Sequence, residues 1–351
     1  MKRFLALLLV VVATPLVAAL PALPASGADA PTITLVAHDS FAVSKSVLRD
    51  FTRQTGIKVK VLRSGGDAGT ALNQVILTKD HPIGDAFFGV DNTLLSRAID
   101  NDVFEVYRPA ALDQVASEWQ LDTTNHLTPI DHGDVCINFD KKWFAKHKVA
   151  VPQTLADLTK PQYKDLLVVE DAAASSPGLA FMLGTIDRYG ESGWRDYWSK
   201  LRANGVKVVS DWTTAYDGNF TQGGGKGARP LVVSYASDPA AAVYFAKPEP
   251  STSPVGTMLD SCFRQVEFAG VLKGTAHQAE ARKLVDFMLS EEFQADIPLQ
   301  MFVFPVRDAT PLPPEFVKFA DVATDPLTLP PADIAQHRDE WIDQWTQTVL
   351  R

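Results

Sequence analysis

Apolar and polar positions repeat along this chain of 351 residues with two periods, and the switches between them mark out its elements. Thr32 to Ala37 reads as a first strand, with His38-Asp39-Ser40-Phe41 as the loop after it. Val47, Leu48 and Phe51 share one helical face, Gly56 ends that helix, and Ile57 to Val61 alternates as a second strand. Strand, helix and strand in that order predict a parallel sheet. Gly65-Gly66-Asp67-Ala68-Gly69-Thr70 then feeds a helix carrying Leu72, Val75 and Ile76, which leaves free backbone N–H groups at its mouth. It lacks the spacing of a P-loop, and a tight turn and a binding loop are both open readings. Asp85 to Val90 is a buried strand stopped by Asp91-Asn92, and Leu94, Leu95, Ala98 and Ile99 begin the next helix.

Ile130 to Asp140 and Cys262 to Gly270 read as two strands that carry the chain out to a second lobe and back. The expected fold is therefore α/β, with residues 29–131 plus 266–351 as one lobe and 132–265 as the other. A cleft between hinged lobes is the natural ligand site. In the second lobe Val151 to Leu158 begins helically and Leu166 to Val169 is a strand. Ser175 or Ser176 before Pro177 signals a helix start, placing hydroxyls and helix amides at one mouth. Capping alone explains these serines equally well. Val206 to Val209 is a strand followed directly by Asp211, Trp212 and Tyr216, and Pro230 to Tyr235 is another followed by Ala236-Ser237-Asp238-Pro239. Loops at strand C-termini are where open α/β sheets hold ligands. Gln222 to Arg229 reads as a mobile glycine-rich loop, and Ala279 to Phe293 as one helical run. Pro298 to Pro305 lies between helices within reach of the cleft, and Ile334, Trp341, Ile342, Trp345 and Val349 form a packing stripe.

Composition changes the picture at the beginning of the chain. Lys2 and Arg3 precede an apolar run from Phe4 to about Leu20, and small residues follow to Ala28. Residues 1–28 are expected to be a secretory signal peptide, since Pro21 and Pro24 argue against a membrane anchor. No cysteine near the junction invites a lipid anchor. The remaining chain suits two lobes. The formal charge is -9, with no basic run, which argues against nucleic acid and anionic lipid.

Two cysteines, Cys136 and Cys262, in an exported protein suggest one disulfide across the crossing strands, with two buried free thiols as the alternative. The seven histidines are scattered, so no metal or cofactor is expected. No motif sets a nucleophile, a base and an orienting group together, and binding rather than catalysis is the expected role.

Several segments together resemble the thiamine-binding periplasmic proteins of ABC importers. They are Asp39-Ser40-Phe41, Gly89-Val90-Asp91-Asn92, Ser175 to Leu179, Trp212 with Tyr216, Ser234-Tyr235, Ile297 to Val306 and Arg338 to Trp345. The resemblance spans nearly the whole chain after the signal segment, in order. It implies a type II periplasmic-binding-protein fold that closes on thiamine or its phosphates and delivers them to permease subunits, as a monomer. Carried over, the ligand contacts fall on Asp67, Ala68, Ser175, Ser176, Trp212, Tyr235, Ala236, Ser237 and Asp238, with His38, Asp39, Tyr216 and Phe302 nearby. Aromatic positions of the family are here His38, Lys45, Ala241 and Phe302. Other readings are a secreted thiamine-cleaving enzyme of the same bilobed fold, or a binder of iron or a polyamine. The resemblance to such an enzyme implies Cys136 with Glu267 as nucleophile and base, and it needs Cys136 free of Cys262. Iron binders of this fold use paired tyrosines that are absent here, and only Asp39, Asp67, Asp91 and Asp238 are at hand for a polyamine.

Overall fold

The computed structural model describes residues 30–351, so the expected signal peptide lies outside the described residues. The first lobe begins with β1 (Thr32–Ala37), α1 (Lys45–Thr55), β2 (Lys58–Arg63), α2 (Ala68–Leu77), β3 (Ala86–Asp91) and α3 (Leu95–Asp100). The Ser44 hydroxyl accepts the Val47 N–H at the start of α1, and Gly56 closes it in the left-handed region at φ 73°. A cap of this kind contributes about 1 kcal/mol, and glycine adopts that φ without a Cβ clash. Val47 and Phe51 face inward as the helical spacing requires.

The chain crosses to the second lobe on β4 (Thr128–Asp140) and continues as α4 (Lys141–His147), β5 (Leu167–Glu170), α5 (Ser176–Ala203), β6 (Lys207–Val209), α6 (Trp212–Asn219), β7 (Leu231–Tyr235) and α7 (Asp238–Tyr244). It returns on β8 (Val255–Val271) and ends with α8 (Gln278–Met288), α9 (Glu291–Gln300), β9 (Phe304–Pro305), α10 (Pro314–Phe319) and α11 (Pro331–Val349).

Nine strands among the described residues form one sheet in the order β2-β1-β3-β8-β4-β7-β5-β6, with β9 on β4. Its middle is the long antiparallel pair β4 and β8. On one flank β2, β1 and β3 run parallel, and on the other β7, β5 and β6 do the same. Two α/β lobes thus share two crossing strands, the type II periplasmic-binding-protein architecture. Parallel strands must be covered on both faces, which is why β3 and β5 are buried along their whole lengths.

Cys136 and Cys262 are bonded, with their α-carbons 4.1 Å apart. The pairing of β4 with β8 breaks here. Val135 faces Phe263 and Ile137 faces Met258, so Leu259 to Cys262 bulge opposite Cys136 alone. The disulfide fastens that bulge to the neighbouring strand, and both sulfurs are buried.

One expectation is corrected. The helical run from Ala279 to Phe293 is two helices, because the Ser290 hydroxyl accepts the Phe293 N–H and begins α9 anew. The loop from Gln222 to Arg229 lies at the surface, as expected, and its glycines run close against α6. A Cβ on Gly223 would stand 1.8 Å from the Tyr216 carbonyl oxygen, and one on Gly225 2.4 Å from that of Asp217. Its glycines permit this close approach to α6.

Candidate functional site

Between the lobes lies a cleft of about 1130 Å³. Its walls come from loops that leave strand ends. His38 follows β1, Asp67 and Ala68 open α2, Ser176 opens α5, Trp212 opens α6, and Tyr235 ends β7 just before Asp238. Tyr216 and Phe302 complete the set of expected residues that line it.

Four expected residues lie outside the wall. Asp39 is exposed and accepts the Gly65 N–H at 2.9 Å. Ser175 is buried as the cap of α5. Ala236 is buried beside the disulfide, and Ser237 is buried with its hydroxyl donating to the Phe302 carbonyl. Ser175 and Ser237 act on the site by placing Ser176 and Phe302.

The aromatic part is a stack. Trp212 lies against Tyr216 with ring centroids 5.2 Å apart and planes 15° from parallel. The indole N–H donates to the Ser234 hydroxyl at 2.8 Å, fixing its orientation. Tyr235 closes over Gly133, where a Cβ would stand 3.1 Å from its ring.

The rest of the wall is acidic. Asp238 accepts from Asn138 at 2.5 Å and from the Tyr235 N–H at 3.2 Å, yet burial pushes its carboxyl up to about 7. Burial also raises Asp67, against the pull of Ser175, the Trp212 N–H and His38. His38 Nε2 lies 3.1 Å from Glu267 Oε1, an ion-pair contact without hydrogen-bond alignment. Burial lowers the imidazole, but Glu267, Asp67 and Asp39 outweigh it and the net shift is upward. Behind the wall, burial raises Asp91 to about 6 and holds Asp131 well above the carboxylate range, where Glu267 adds to the effect. Glu170 is raised by burial and by Asp67, and neither of its oxygens has a hydrogen-bond partner.

Carboxylates this costly to ionise favour a cation or a strong donor brought by a ligand. Aromatic faces attract the same kind of charge.

The two lobes also touch each other. Asp67 Oδ2 accepts the Trp212 N–H at 3.0 Å, Ser176 donates to Asp91, and a Cβ on Gly69 would stand 2.7 Å from the Ala174 carbonyl oxygen. These contacts join the lobes at the cleft that Asp67, Ser176 and Trp212 line.

A family model for bacterial extracellular solute-binding proteins matches residues 82–325. The chain belongs to that family. It is also 29% identical over 326 residues to the thiamine-binding periplasmic protein of Escherichia coli, covering 92% of this chain and 94% of that one. A solved periplasmic thiamin binding protein superposes with a TM-score of 0.78 at 27% identity, over 92% of this chain and 97% of its own. Iron-bound HitA from Pseudomonas aeruginosa, at 20% identity and TM-score 0.71 over 91% and 99%, shares the fold.

In this solute-binding protein the disulfide removes Cys136 as a nucleophile. Several wall residues carry no local sequence signal as binding positions. Glu267 sits mid-strand, Lys141 and Lys142 begin α4, Gln222 to Gly224 belong to the glycine-rich loop, and Phe245 follows α7. Only the pairing of distant strands brings them together. Pro298 to Pro305 is mostly helix and short strand, with Gln300 to Val303 reaching the cleft as expected.

Proposed function

We propose that this solute-binding protein captures thiamine in the interlobe cleft. The observation that carries the reading is the Trp212–Tyr216 stack set among Asp67, Asp238 and Glu267 in one cavity. A thiazolium ring is a flat organic cation, and it suits an aromatic face within a ring of acids, each cation–π contact contributing roughly 0.5 to 2 kcal/mol. Relatives bearing the thiamine-binding name over nine-tenths of the chain support the choice among flat cations.

Thiamine phosphates fit the same reading. Lys141 and Lys142 on the wall offer donors to a phosphate. The protein works as an exported monomer without a lipid anchor and passes its ligand to ABC permease subunits. Residues 29–131 with 266–351 move against 132–265 about the crossing strands. Calorimetry with thiamine and its monophosphate tests the reading, with a dissociation constant in the micromolar range or below expected. Absence of heat with both ligands sinks it.

A further inference from the structure

Asp91, Glu267 and Asp131 occupy three neighbouring strands in register, with Glu267 in the middle. The outer two are buried and Glu267 alone reaches the cavity. Asp91 is fully engaged by Thr93, the Leu94 N–H, Gln265 and Ser176. Asp131 Oδ2 is buried with no donor beside it. Its carboxyl is raised by burial and by the neighbouring Glu267, which leaves Glu267 as the acid of the three that faces the ligand space.

Gly89 keeps the space for the opposite side. It sits at φ 117°, and a Cβ there would stand 2.5 Å from His38 Cδ2 and 3.5 Å from Glu267 Oε1. Glu267 is thus flanked by Asp131 on the next strand and by His38 at 3.1 Å. Asp67, by contrast, has Oδ2 committed to the Trp212 N–H of the other lobe.

We propose that Glu267 is the specificity carboxylate of the cleft, accepting from the ring amino group of the ligand, whereas Asp67 acts on closure. The assignment rests on the thiamine reading and names the acid that recognises the aminopyrimidine end. A carboxylate carries no hydrogen to turn toward an acceptor brought in the amino group's place. An analogue with a carbonyl where thiamine has the amino group faces Glu267 with lone pairs and is rejected.

Calorimetry with thiamine and its 4-oxo analogue on the parent, Glu267→Gln and Asp67→Asn decides it. The parent prefers thiamine by about ten- to a hundredfold. Glu267→Gln, whose amide can turn its donor toward a carbonyl, loses most of that preference. Asp67→Asn weakens both ligands by a similar factor and keeps the ratio. If Glu267→Gln does not fold, Glu267→Asp draws the carboxylate back by one methylene and the preference still falls. A parent ratio retained in the Glu267 variant, or erased in Asp67→Asn, overturns the assignment while leaving the thiamine reading intact. A parent that binds neither ligand overturns both.

Discussion

The carboxylate of Asp67 accepts the backbone N–H of Trp212 at 3.0 Å, so the acid at the start of α2 holds the first turn of α6 in the other lobe. The bond links ligand capture to closure, since the ring it positions is the one expected to stack on the ligand. Asp67→Ala leaves a partly buried N–H unpaired at a cost of about 1 to 3 kcal/mol. Calorimetry is expected to show thiamine affinity lower by roughly ten- to a hundredfold. Unchanged affinity would mean that the interlobe bond contributes nothing to the bound state.

Trp212 separates stacking from hydrogen bonding. Its ring stacks on Tyr216 and its N–H reaches Ser234. Trp212→Phe keeps an aromatic face and loses the indole donor, while Trp212→Ala loses both. The expected order of affinity is parent, then Phe, then Ala, with Ala at least tenfold below the parent. Thiamine is also expected to quench tryptophan fluorescence in the parent. If the Ala variant binds like the parent, the stack is packing alone.

The disulfide acts on stability rather than binding. Cys136 and Cys262 are 126 residues apart in the chain, so the loop-entropy account gives roughly 4 to 5 kcal/mol as an upper figure. Denaturant unfolding with and without reductant is expected to show a lower midpoint when the bond is cut. Two titratable thiols in the unreduced native protein would contradict the bond itself.

Much of this architecture is legible in local pattern. The run from Thr32 to Val61 has the periods of strand, helix and strand, and Gly56 marks the helix end through a backbone conformation that glycine takes freely. The loops after strands are legible as site candidates because parallel sheets direct them to one edge. Glu267 escapes notice as a binding residue for a physical reason. Its place in the wall depends on the register of β8 against both β3 and β4, each pairing carrying a bulge nearby. Ser290 escapes too, since its hydroxyl interrupts a run whose apolar spacing continues unbroken through Phe293. The approach of the glycines of residues 222–227 to α6 escapes as well, since nothing local sets that helix against them.

The last prediction concerns pH. Burial raises the Asp238 carboxyl to about 7, and Asp91 to about 6, from an ordinary value near 3.8. His38 is raised as well, burial being outweighed chiefly by Glu267. For each of these groups the folded state holds its proton more tightly than the unfolded chain. The stability they contribute is therefore complete below their unfolded pKa values and is lost as pH rises through the folded ones. The ligand-free protein is expected to melt at a lower temperature at pH 8 than at pH 6. A bound cation reverses part of that loss, because it interacts best with ionised Asp238, so thiamine affinity is expected to rise over the same interval. Asp238 faces Asn138, Ser234 and the Tyr235 N–H, with Asp217 as the nearby like charge. Asp238→Asn keeps an acceptor toward Asn138 and Tyr235 but cannot ionise. Melting and calorimetry of this variant between pH 6 and 8 are expected to show a shallower slope in both quantities. Parent-like slopes in Asp238→Asn would transfer the pH dependence to His38 and Asp91 and remove Asp238 from the recognition of charge.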